Sequence, residues 1–358
     1  MSQPHVFVAM SGGVDSSVAA ALLQEAGFRL SGVHLRMLHQ EDVSNPSDGA
    51  CCSQSDAEDA ALVARSLGFP FYTWDFSQVF RETVIRNFVE EYQRGRTPNP
   101  CAECNRTVKF GALLRCVRDL GGDFLATGHY ARIERDETTG RYLLLRGRDR
   151  SKDQSYFLYT LTQEELAHTL FPLGGMEKTE VRETAQVHGL LTARKRDSQD
   201  ICFVPKGSYA AFIERTVGAP SVPGQFLDQE GRVLGEHKGI IRYTRGQHKG
   251  LGISTEQPLY VLEKDPVSNV VRLGPDSALW ERELTAERMN WISVPELTAP
   301  MAVTVKTRHT QKETAAVAEP LPGDRIRVVF AEPQRAITPG QSVVLYDGER
   351  VVGGGTIC

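Results

Sequence analysis

The chain has 358 residues, of which 41% are hydrophobic and 24% charged, a composition that excludes a largely disordered protein. Its formal net charge of -4 excludes a uniformly basic nucleic-acid coat protein but leaves room for a local basic groove. At about 150 residues per domain, the length predicts two or three domains. We expect a cytoplasmic protein without a membrane span or a disulfide framework, because the sequence has no signal peptide, no long apolar run and an odd number of cysteines, 7.

The first half of the chain alternates short apolar runs with segments that have apolar residues at helical spacing. The runs are typical of parallel strands buried on both faces. The predicted strands are 6–10, 30–37, 69–76 and 123–129, and the predicted helices are 14–26, 55–67, 77–93 and 107–120. This alternation predicts an α/β fold with a doubly wound parallel sheet that binds its ligand at the carboxyl ends of the strands.

After about residue 130 the pattern changes. A hairpin is predicted at 130–135 and 141–146, followed by short helices at 163–170 and 178–188. The chain then becomes rich in glycine, proline and short strands, and evenly spaced strands near its end predict a small β-barrel. The predicted domains are an α/β domain at 1–206, a small central β-rich α+β domain at 207–280 and a β-barrel at 281–358.

The most informative segment, AMSGGVDSS, follows the first predicted strand and opens the first predicted helix. Glycines without a Cβ let backbone N–H groups approach an anion, and the start of a helix adds its dipole. The segment lacks the lysine of a Walker A loop, and the alternative is a capped turn without a ligand. We predict that nine residues bind nucleotide phosphates: Ala9, Met10, Ser11, Gly12, Gly13, Val14, Asp15, Ser16 and Ser17.

Three cysteines are candidates for a chemical role. Cys101 and Cys104 form a CxxC pair in a segment whose prolines predict a loop, and Cys202 lies much further along the chain. Cys104 is expected near the start of a helix, where the pKa of a thiol is lowered. A single CxxC leaves catalytic thiols, a metal or cluster site, and inert cysteines as open interpretations.

The remaining cysteines have simpler interpretations. Cys51 and Cys52 are adjacent in a segment predicted to be a loop, and no chemical role is assigned to them. Cys116 is predicted to lie in the core, on the apolar side of its helix.

Six motifs occur in an order and spacing that resemble the bacterial tRNA-specific 2-thiouridylases, the MnmA/TrmU family of PP-loop ATP pyrophosphatases. They are SGGVDSS, TPNPCAECNRTVKF, LATGHYARI, KDQSYFLYTL, RDSQDICFVP and YTRGQHKGLGI. The resemblance implies an ATP-dependent tRNA sulfurtransferase, with a catalytic first domain like the adenine nucleotide α-hydrolases and with ATP and Mg²⁺ as cofactors. ATP would adenylate the 2-carbonyl oxygen of the wobble uridine in tRNAs for Lys, Glu and Gln, and sulfur would replace that oxygen.

The same resemblance implies roles for the cysteines. Cys202 corresponds to the residue that receives persulfide sulfur, and Cys104 corresponds to its partner nucleophile. Many relatives have Asp where this chain has Cys101. That departure gives three thiolates that could hold a 4Fe-4S cluster, namely Cys101, Cys104 and Cys202. A persulfide relay and a cluster therefore both remain open.

Further site residues follow from the resemblance and from strand ends. Met37 is implied to pack against adenine, and Gly128 ends a strand where the backbone can approach a nucleotide. The implied partners are the anticodon stem-loop of tRNA and a cysteine desulfurase or sulfur-carrier protein. The predicted tRNA contacts are Asn99, Pro100, Cys101, His129, Lys152, Asp153, Gln154, Arg308, His309 and Gln341.

Two competing hypotheses come from other classes. A PP-loop synthetase acting on a small metabolite would explain the loop but not the cysteines or the barrel. A non-enzymatic ATP- or RNA-binding module would leave the thiols without a role.

Overall fold

The computed structural model describes residues 3–39, 54–195, 201–204 and 209–358. Its first seven strands are β1 (His5–Ala9), β2 (Arg29–Arg36), β3 (Phe71–Asp75), β4 (Phe124–Ala126), β5 (Ala131–Arg135), β6 (Tyr142–Arg146) and β7 (Thr169–Leu170). Five of them form a parallel sheet in the order β3-β2-β1-β4-β7. The predicted parallel sheet is thus confirmed, and its strand order reverses between β1 and β4.

Helices cover both faces of this sheet, as the side chains of β1 show. Val6 and Val8 join one apolar core, whereas Phe7 points into another. The first core contains α1 (Val14–Glu25), α2 (Gln54–Leu67) and α9 (Lys178–Val187). The second contains α3 (Ser77–Phe80), α4 (Arg86–Gln93), α5 (Pro100–Cys104) and α6 (Leu114–Asp119), together with α7 (Ser155–Leu158) and α8 (Gln163–Ala167).

Two long helical stretches in the second core each contain a π-helical segment. Arg81–Ile85 joins α3 to α4, and Asn105–Leu113 joins α5 to α6. The second stretch begins at Pro100, so the loop predicted around the CxxC pair was wrong. Proline in the first turn of a helix loses no hydrogen bond, because that N–H has no partner within the helix.

The predicted hairpin is confirmed as β5 and β6, which pair in antiparallel register. The strand that pairs with the free edge of β6 does not belong to the parallel sheet. Leu145 of β6 pairs with Arg350 in the last strand of the chain. The hairpin therefore extends the sheet of the C-terminal barrel.

The rest of the chain forms two further β units. After α10 (Tyr209–Val217) the central sheet contains β8 (Gly224–Leu227), β9 (Val233–His237), β10 (Tyr260–Asp265) and β11 (Val270–Gly274). The barrel contains β12 (Trp280–Trp291), β13 (Met301–Lys306), β14 (Thr314–Leu321), β15 (Arg325–Arg335), β16 (Ser342–Asp347) and β17 (Arg350–Ile357). Its order β12-β15-β14-β13-β16-β17 is closed by pairing of β12 with β17, which confirms the predicted barrel.

Polar contacts fix the barrel to the parallel-sheet domain along a seam. The Tyr156 hydroxyl donates to the carbonyl oxygen of Ser342 at 2.9 Å. Asn290 Nδ2 donates to the carbonyl oxygens of Tyr159 and Leu161 at 2.7 and 2.9 Å. The barrel is therefore bonded to α7 and to the residues that follow it. No helix in the described part of the chain is both long enough and apolar enough to cross a membrane.

Candidate functional site

The turn between β1 and α1 has room only for glycine at its centre. Gly12 has a φ of +73°, and a Cβ there would stand 2.2 Å from the carbonyl oxygen of Asp56. Glycine alone satisfies both conditions. The backbone N–H of Met10 donates to the carbonyl oxygen of Val33 at 2.8 Å. The loop is therefore held between β2 and the start of α2.

Serine hydroxyls order the loop from inside. Ser16 Oγ and Ser17 Oγ donate to the carbonyl oxygen of Gly13 at 3.2 and 2.9 Å. The backbone N–H of Ser11 donates to Ser16 Oγ at 3.2 Å. Gly13 is the N-cap of α1, and no side chain caps the helix. A helix start that follows an ordered glycine turn is suited to bind phosphate.

Asp15, in the first turn of α1, is held by two side chains that the sequence did not single out. Lys178 Nζ donates to both carboxylate oxygens of Asp15, at 2.7 and 2.9 Å. The Tyr130 hydroxyl donates to one of them at 2.7 Å. Lys178 opens α9 and Tyr130 follows β4, so only the tertiary fold brings them to the loop. No local sequence pattern would have identified them.

Two predicted nucleotide-site residues lie at the ends of strands that flank β1. Gly128 follows β4, and a Cβ there would lie 2.8 Å from both the carbonyl carbon of Asp15 and the backbone nitrogen of Ser16. Met37 follows β2 and is buried in the second core. The carboxyl ends of β1, β2 and β4 thus gather the loop, Met37 and Gly128 at one edge of the sheet.

The CxxC pair has one exposed and one buried thiol. The Asn99 side chain caps α5 by accepting a hydrogen bond from the backbone N–H of Ala102 at 3.2 Å. Cys101 is exposed and Cys104 is buried. Burial raises the pKa of Cys104 to about 11. The expected lowering of its pKa was wrong, because the cost of removing the thiolate from water outweighs the effect of the nearby positive charge of Lys109.

Cys202 is half-buried in a short turn, and the next residue, Phe203, is packed among aromatic rings. Phe203 makes edge contacts with Phe80 and Phe88, at ring separations of 5.5 and 5.1 Å. Cys202 packs against the same apolar core that contains Cys104. The two predicted thiols, distant in sequence, therefore share one core. Much of the motif before Cys202, residues 196–200, lies outside the described residues.

A 4Fe-4S cluster requires its three cysteine ligands to lie close together. Among the described residues, which include all three cysteines, no three His, Cys, Asp or Glu side chains form a group that could hold a metal ion. Cys101, Cys104 and Cys202 are therefore not assembled as a ligand set in this conformation.

The other cysteines add little to the site. Cys116 is exposed, so its predicted core position was wrong, because α6 buries Leu114 and Val117 instead. Cys51 and Cys52 lie outside the described residues. No disulfide links the cysteines that the structure describes.

Several residues predicted to contact tRNA make contacts across the seam. Gln341 Nε2 donates to the carbonyl oxygens of Thr97 and Pro98, both at 3.0 Å. Asn99 Nδ2 donates to Ser342 Oγ at 3.1 Å, and Pro100 is buried. These side chains connect the start of β16 to the start of the CxxC helix.

The predicted tRNA loop at 152–154 is also internally bonded. Asp153 is buried, and its carboxylate accepts from the backbone N–H of Gly147 at 3.1 Å and from Ser155 Oγ at 3.0 Å. Gln154 Oε1 accepts from the backbone N–H of Tyr130 at 3.0 Å. Lys152, in contrast, is partly exposed. The loop is therefore fixed next to Tyr130 and the phosphate loop.

Arg308 and His309 follow β13 in the barrel, and His309 reaches the seam. Arg308 Nη2 donates to the carbonyl oxygen of Ala336 at 2.8 Å and to Thr338 Oγ1 at 2.7 Å. The His309 ring lies 4.5 Å from the ring of Phe157. Burial lowers the pKa of His309, so its ring is neutral at neutral pH.

His129 is partly buried between aromatic rings. Its ring centroid lies 5.9 Å from that of Phe110 and 5.8 Å from that of Phe171. Burial, with a smaller effect of Lys109, lowers the pKa of His129 well below its usual value. A neutral imidazole is suited to contact a base by stacking rather than to pair with a phosphate.

A polar cavity of about 320 Å³ opens along the seam. Asn99, Glu103 and Arg106 line it from one face of the CxxC helix, and neither Cys101 nor Cys104 is part of its lining. The cavity is thus separate from the thiols.

The two CxxC thiols should differ in their alkylation by iodoacetamide. At pH 7 to 8 we expect Cys101 to react first, because it is exposed while Cys104 is buried and protonated. The Cys104 rate should keep rising with pH up to about 11, because only the thiolate reacts. Peptide mass spectrometry measures both rates, with Cys101→Ser as the control for assignment. A Cys104 rate that levels off near an ordinary thiol pKa of about 8.5 would contradict this account.

Three family descriptions match consecutive parts of the chain. A tRNA methyl transferase HUP domain matches residues 4–206, a tRNA methyl transferase PRC-barrel domain matches 210–275, and an aminomethyltransferase beta-barrel domain matches 281–357.

Similar proteins cover the chain from end to end. The tRNA-specific 2-thiouridylase MnmA 1 of Caldanaerobacter subterraneus subsp. tengcongensis is 51% identical over 99% of this chain and 97% of that protein. The tRNA-specific 2-thiouridylase MnmA of Acetivibrio thermocellus is 48% identical over 100% of both chains. Among solved structures, a 4-thiouridine synthetase–RNA complex with bound ATP is far more distant, with 17% identity and a TM-score of 0.36 over 60% of this chain and 50% of that chain. From the full-length matches, the chain belongs to the MnmA family of tRNA-specific 2-thiouridylases.

Proposed function

We propose that this chain is a tRNA-uridine 2-sulfurtransferase that uses ATP to replace the 2-carbonyl oxygen of the wobble uridine by sulfur. The observation that carries the proposal is the match of nearly the whole chain, at 48% to 51% identity, to relatives named tRNA-specific 2-thiouridylase MnmA. The ordered loop at the start of α1 and the two thiols in one core supply groups for the two halves of this reaction.

The first half of the proposed reaction activates the oxygen. A carbonyl oxygen leaves poorly, whereas an adenylated oxygen leaves as part of AMP. The uridine oxygen attacks the α-phosphorus of ATP, and pyrophosphate leaves. The nine loop residues from Ala9 to Ser17 hold the phosphates, Met37 packs against adenine, and Gly128 lets the backbone close on the loop. Mg²⁺ bound with the nucleotide would neutralise phosphate charge, and the carboxylate of Asp15 is an oxygen donor that would hold it.

The second half transfers sulfur as a persulfide on Cys202. Its terminal sulfur attacks C2 of the adenylated uridine, and AMP leaves with the original oxygen. The Cys104 thiolate then attacks Sγ of Cys202, so the persulfide S–S bond breaks and its terminal sulfur remains on the base. A disulfide between Cys104 and Cys202 forms, and an external thiol must reduce it before the next turnover. The sulfur donor is a cysteine desulfurase or a sulfur-carrier protein.

The proposed substrate is the anticodon stem-loop of cytoplasmic tRNAs for Lys, Glu and Gln. We place it across the seam between the α/β domain (1–206) and the barrel (281–358). Residues 207–280 form the proposed central domain. The proposed contacts are Asn99, Pro100, Cys101, His129, Lys152, Asp153, Gln154, Arg308, His309 and Gln341. Their support is that Asn99, His309 and Gln341 make contacts across that seam. The wobble base must turn out of its stack to meet the nucleotide.

Replacing either proposed catalytic thiol should abolish thiolation. Cys104→Ser and Cys202→Ser should give no 2-thiouridine while tRNA binding stays within about twofold, because neither thiol has a role in tRNA affinity. Mass spectrometry of nucleosides from tRNA incubated with ATP and a sulfur donor measures the product. Cys116→Ser, an exposed thiol outside the site, is the matched control. Thiolation at the wild-type rate by either serine variant would refute the assignment.

The persulfide route and the cluster route differ in their need for iron. The persulfide route predicts that protein purified anaerobically thiolates tRNA with much less than one iron per chain, and that Cys101→Ala still makes 2-thiouridine, with any loss confined to tRNA affinity. A cluster predicts about four irons per chain, lost together with the activity in Cys101→Ala. Iron and sulfide assays on the same preparations distinguish the two.

Gly128→Ala should weaken ATP binding. The added Cβ would meet the backbone of Asp15 and Ser16 at 2.8 Å and push the loop out of position. Overpacking of this kind corresponds to a loss of about tenfold or more in affinity. Calorimetric titration with ATP tests it, with Gly175→Ala, where a Cβ meets nothing within 4 Å, as the control. Equal affinity in wild type and Gly128→Ala would remove Gly128 from the site.

A further inference from the structure

Lys195 joins two acidic residues of α2 at the edge of the phosphate loop. Its Nζ donates to Asp56 Oδ1 and to Asp59 Oδ2, both at 2.6 Å. The carbonyl oxygen of Asp56 is the group that leaves no room for a Cβ at Gly12. Burial lowers the pKa of Lys195, but the hydrogen bonds and charges of the two carboxylates outweigh burial and raise that pKa. We refer to Lys195, Asp56 and Asp59 as the lysine clamp.

Neither RNA binding nor the packing of its own segment explains the lysine clamp. An ammonium group held at 2.6 Å by two carboxylates has no net positive charge left to attract a phosphate. The backbone up to Lys195 is fixed without its side chain, because Arg182 donates to the carbonyl oxygens of Ala193 and Lys195 at 3.2 and 3.4 Å. Ala193 packs in the first core. The clamp therefore adds a second constraint at the point where the chain leaves that core.

The lysine clamp lies at one end of the segment that carries Cys202. Six residues separate Lys195 from Cys202 in the sequence. Even a fully extended chain therefore keeps their Cα atoms within about 25 Å of each other. Lys195 follows the first core, whereas Phe203 lies in the second core together with Cys104. One end of the segment is thus fixed beside the phosphate loop, and the other end is fixed in the core of the thiols.

We propose that the lysine clamp is a positioning device that keeps Cys202 within reach of the nucleotide, so that its persulfide meets the adenylated uridine before water does. This inference rests on the proposed function. Water that attacks C2 of the adenylated uridine expels AMP and, after loss of a proton, gives back uridine, and nothing is oxidised or reduced. Because a misplacement of about 1 Å can slow a reaction step about a hundredfold, a loosened segment would let water compete with the persulfide.

Breaking the lysine clamp should uncouple the two halves of the reaction. In a single turnover, Lys195→Met should release pyrophosphate within about twofold of the wild-type rate but form 2-thiouridine about tenfold or more slowly, because only the sulfur side is displaced. Both products are measured in the same incubation of enzyme with tRNA, ATP and a sulfur donor. An unchanged rate of 2-thiouridine formation, or an equal slowing of both products, would overturn the proposal.

Lys195→Met leaves two carboxylates without their cation beside the phosphate loop, so a neutral variant is needed as well. Asp56→Asn/Asp59→Asn/Lys195→Met lacks the ion pairs without leaving an unpaired charge. It should lose 2-thiouridine formation to the same extent as Lys195→Met, since all three side chains act through one interaction. Recovery of the wild-type rate in this triple variant would show that repulsion by the carboxylates caused the defect, and the proposal would fail.

Two further variants separate the lysine clamp from a general effect of basic charge. Lys195→Arg keeps a cation that can pair with both carboxylates and should restore most of the rate of 2-thiouridine formation. Arg194→Met is the matched control, because Arg194 is the adjacent cation and is exposed. Both products should form within about twofold of the wild-type rates in this control. If Arg194→Met uncoupled the two products as much as Lys195→Met does, the proposal would fail.

The position of Cys202 can also be measured without tRNA. Iodoacetamide should alkylate Cys202 about fivefold or more faster in Lys195→Met than in wild type or Arg194→Met, because a released segment exposes a half-buried thiol. If wild type makes no 2-thiouridine but this rate depends on Lys195, the positioning of Cys202 by the clamp holds and the proposed function fails. If thiolation occurs and the rate is equal in Lys195→Met and wild type, the proposed function holds and the inference fails.

Discussion

The reversal of strand order between β1 and β4 is the constraint on which the site depends. In an open parallel sheet, such a reversal leaves a crevice beyond the carboxyl ends of the strands. Here Gly128 forms one wall of the crevice. Its backbone packs so closely against the first turn of α1 that a Cβ would not fit between them. Lys178 reaches the same turn through Asp15. Three stretches far apart in the sequence are thereby fixed at one point.

The phosphate loop is already ordered for binding, whereas the thiols of Cys104 and Cys202 are not yet accessible for reaction. Hydrogen bonds from Ser16 and Ser17 already order the phosphate loop. Cys104, by contrast, is kept protonated by burial, and Cys202 is attached to Phe203, which is packed among aromatic rings. A protonated, buried thiol is protected from oxidation, and its reactivity requires a rearrangement of its surroundings. The proposed reaction therefore needs motion on the sulfur side and little on the nucleotide side.

The elements that could be predicted from sequence are those determined by local patterns. Buried parallel strands are continuous apolar runs, and the glycine turn after β1 is a local requirement, so the sheet and its loop were predictable. The helix at Pro100–Cys104 has no clear local signal, because proline breaks a helix interior but is tolerated in the first turn. The ion pair of Asp15 with Lys178, the burial of Cys104 and the pairing of the hairpin with β17 are long-range contacts without a local signal. Sequence likewise could not show that Gln341 and Asn99 bond across the seam.

In the proposed reaction, one uridine oxygen is first adenylated and then displaced by a thiol-borne sulfur. Its most direct test is an isotope experiment on tRNA whose wobble uridine carries ¹⁸O at the 2-carbonyl position. Incubation with ATP and a sulfur donor, followed by mass spectrometry, should give 2-thiouridine and AMP that contains the ¹⁸O. Recovery of the label in water or in inorganic phosphate, with ADP as the nucleotide product, would contradict the account.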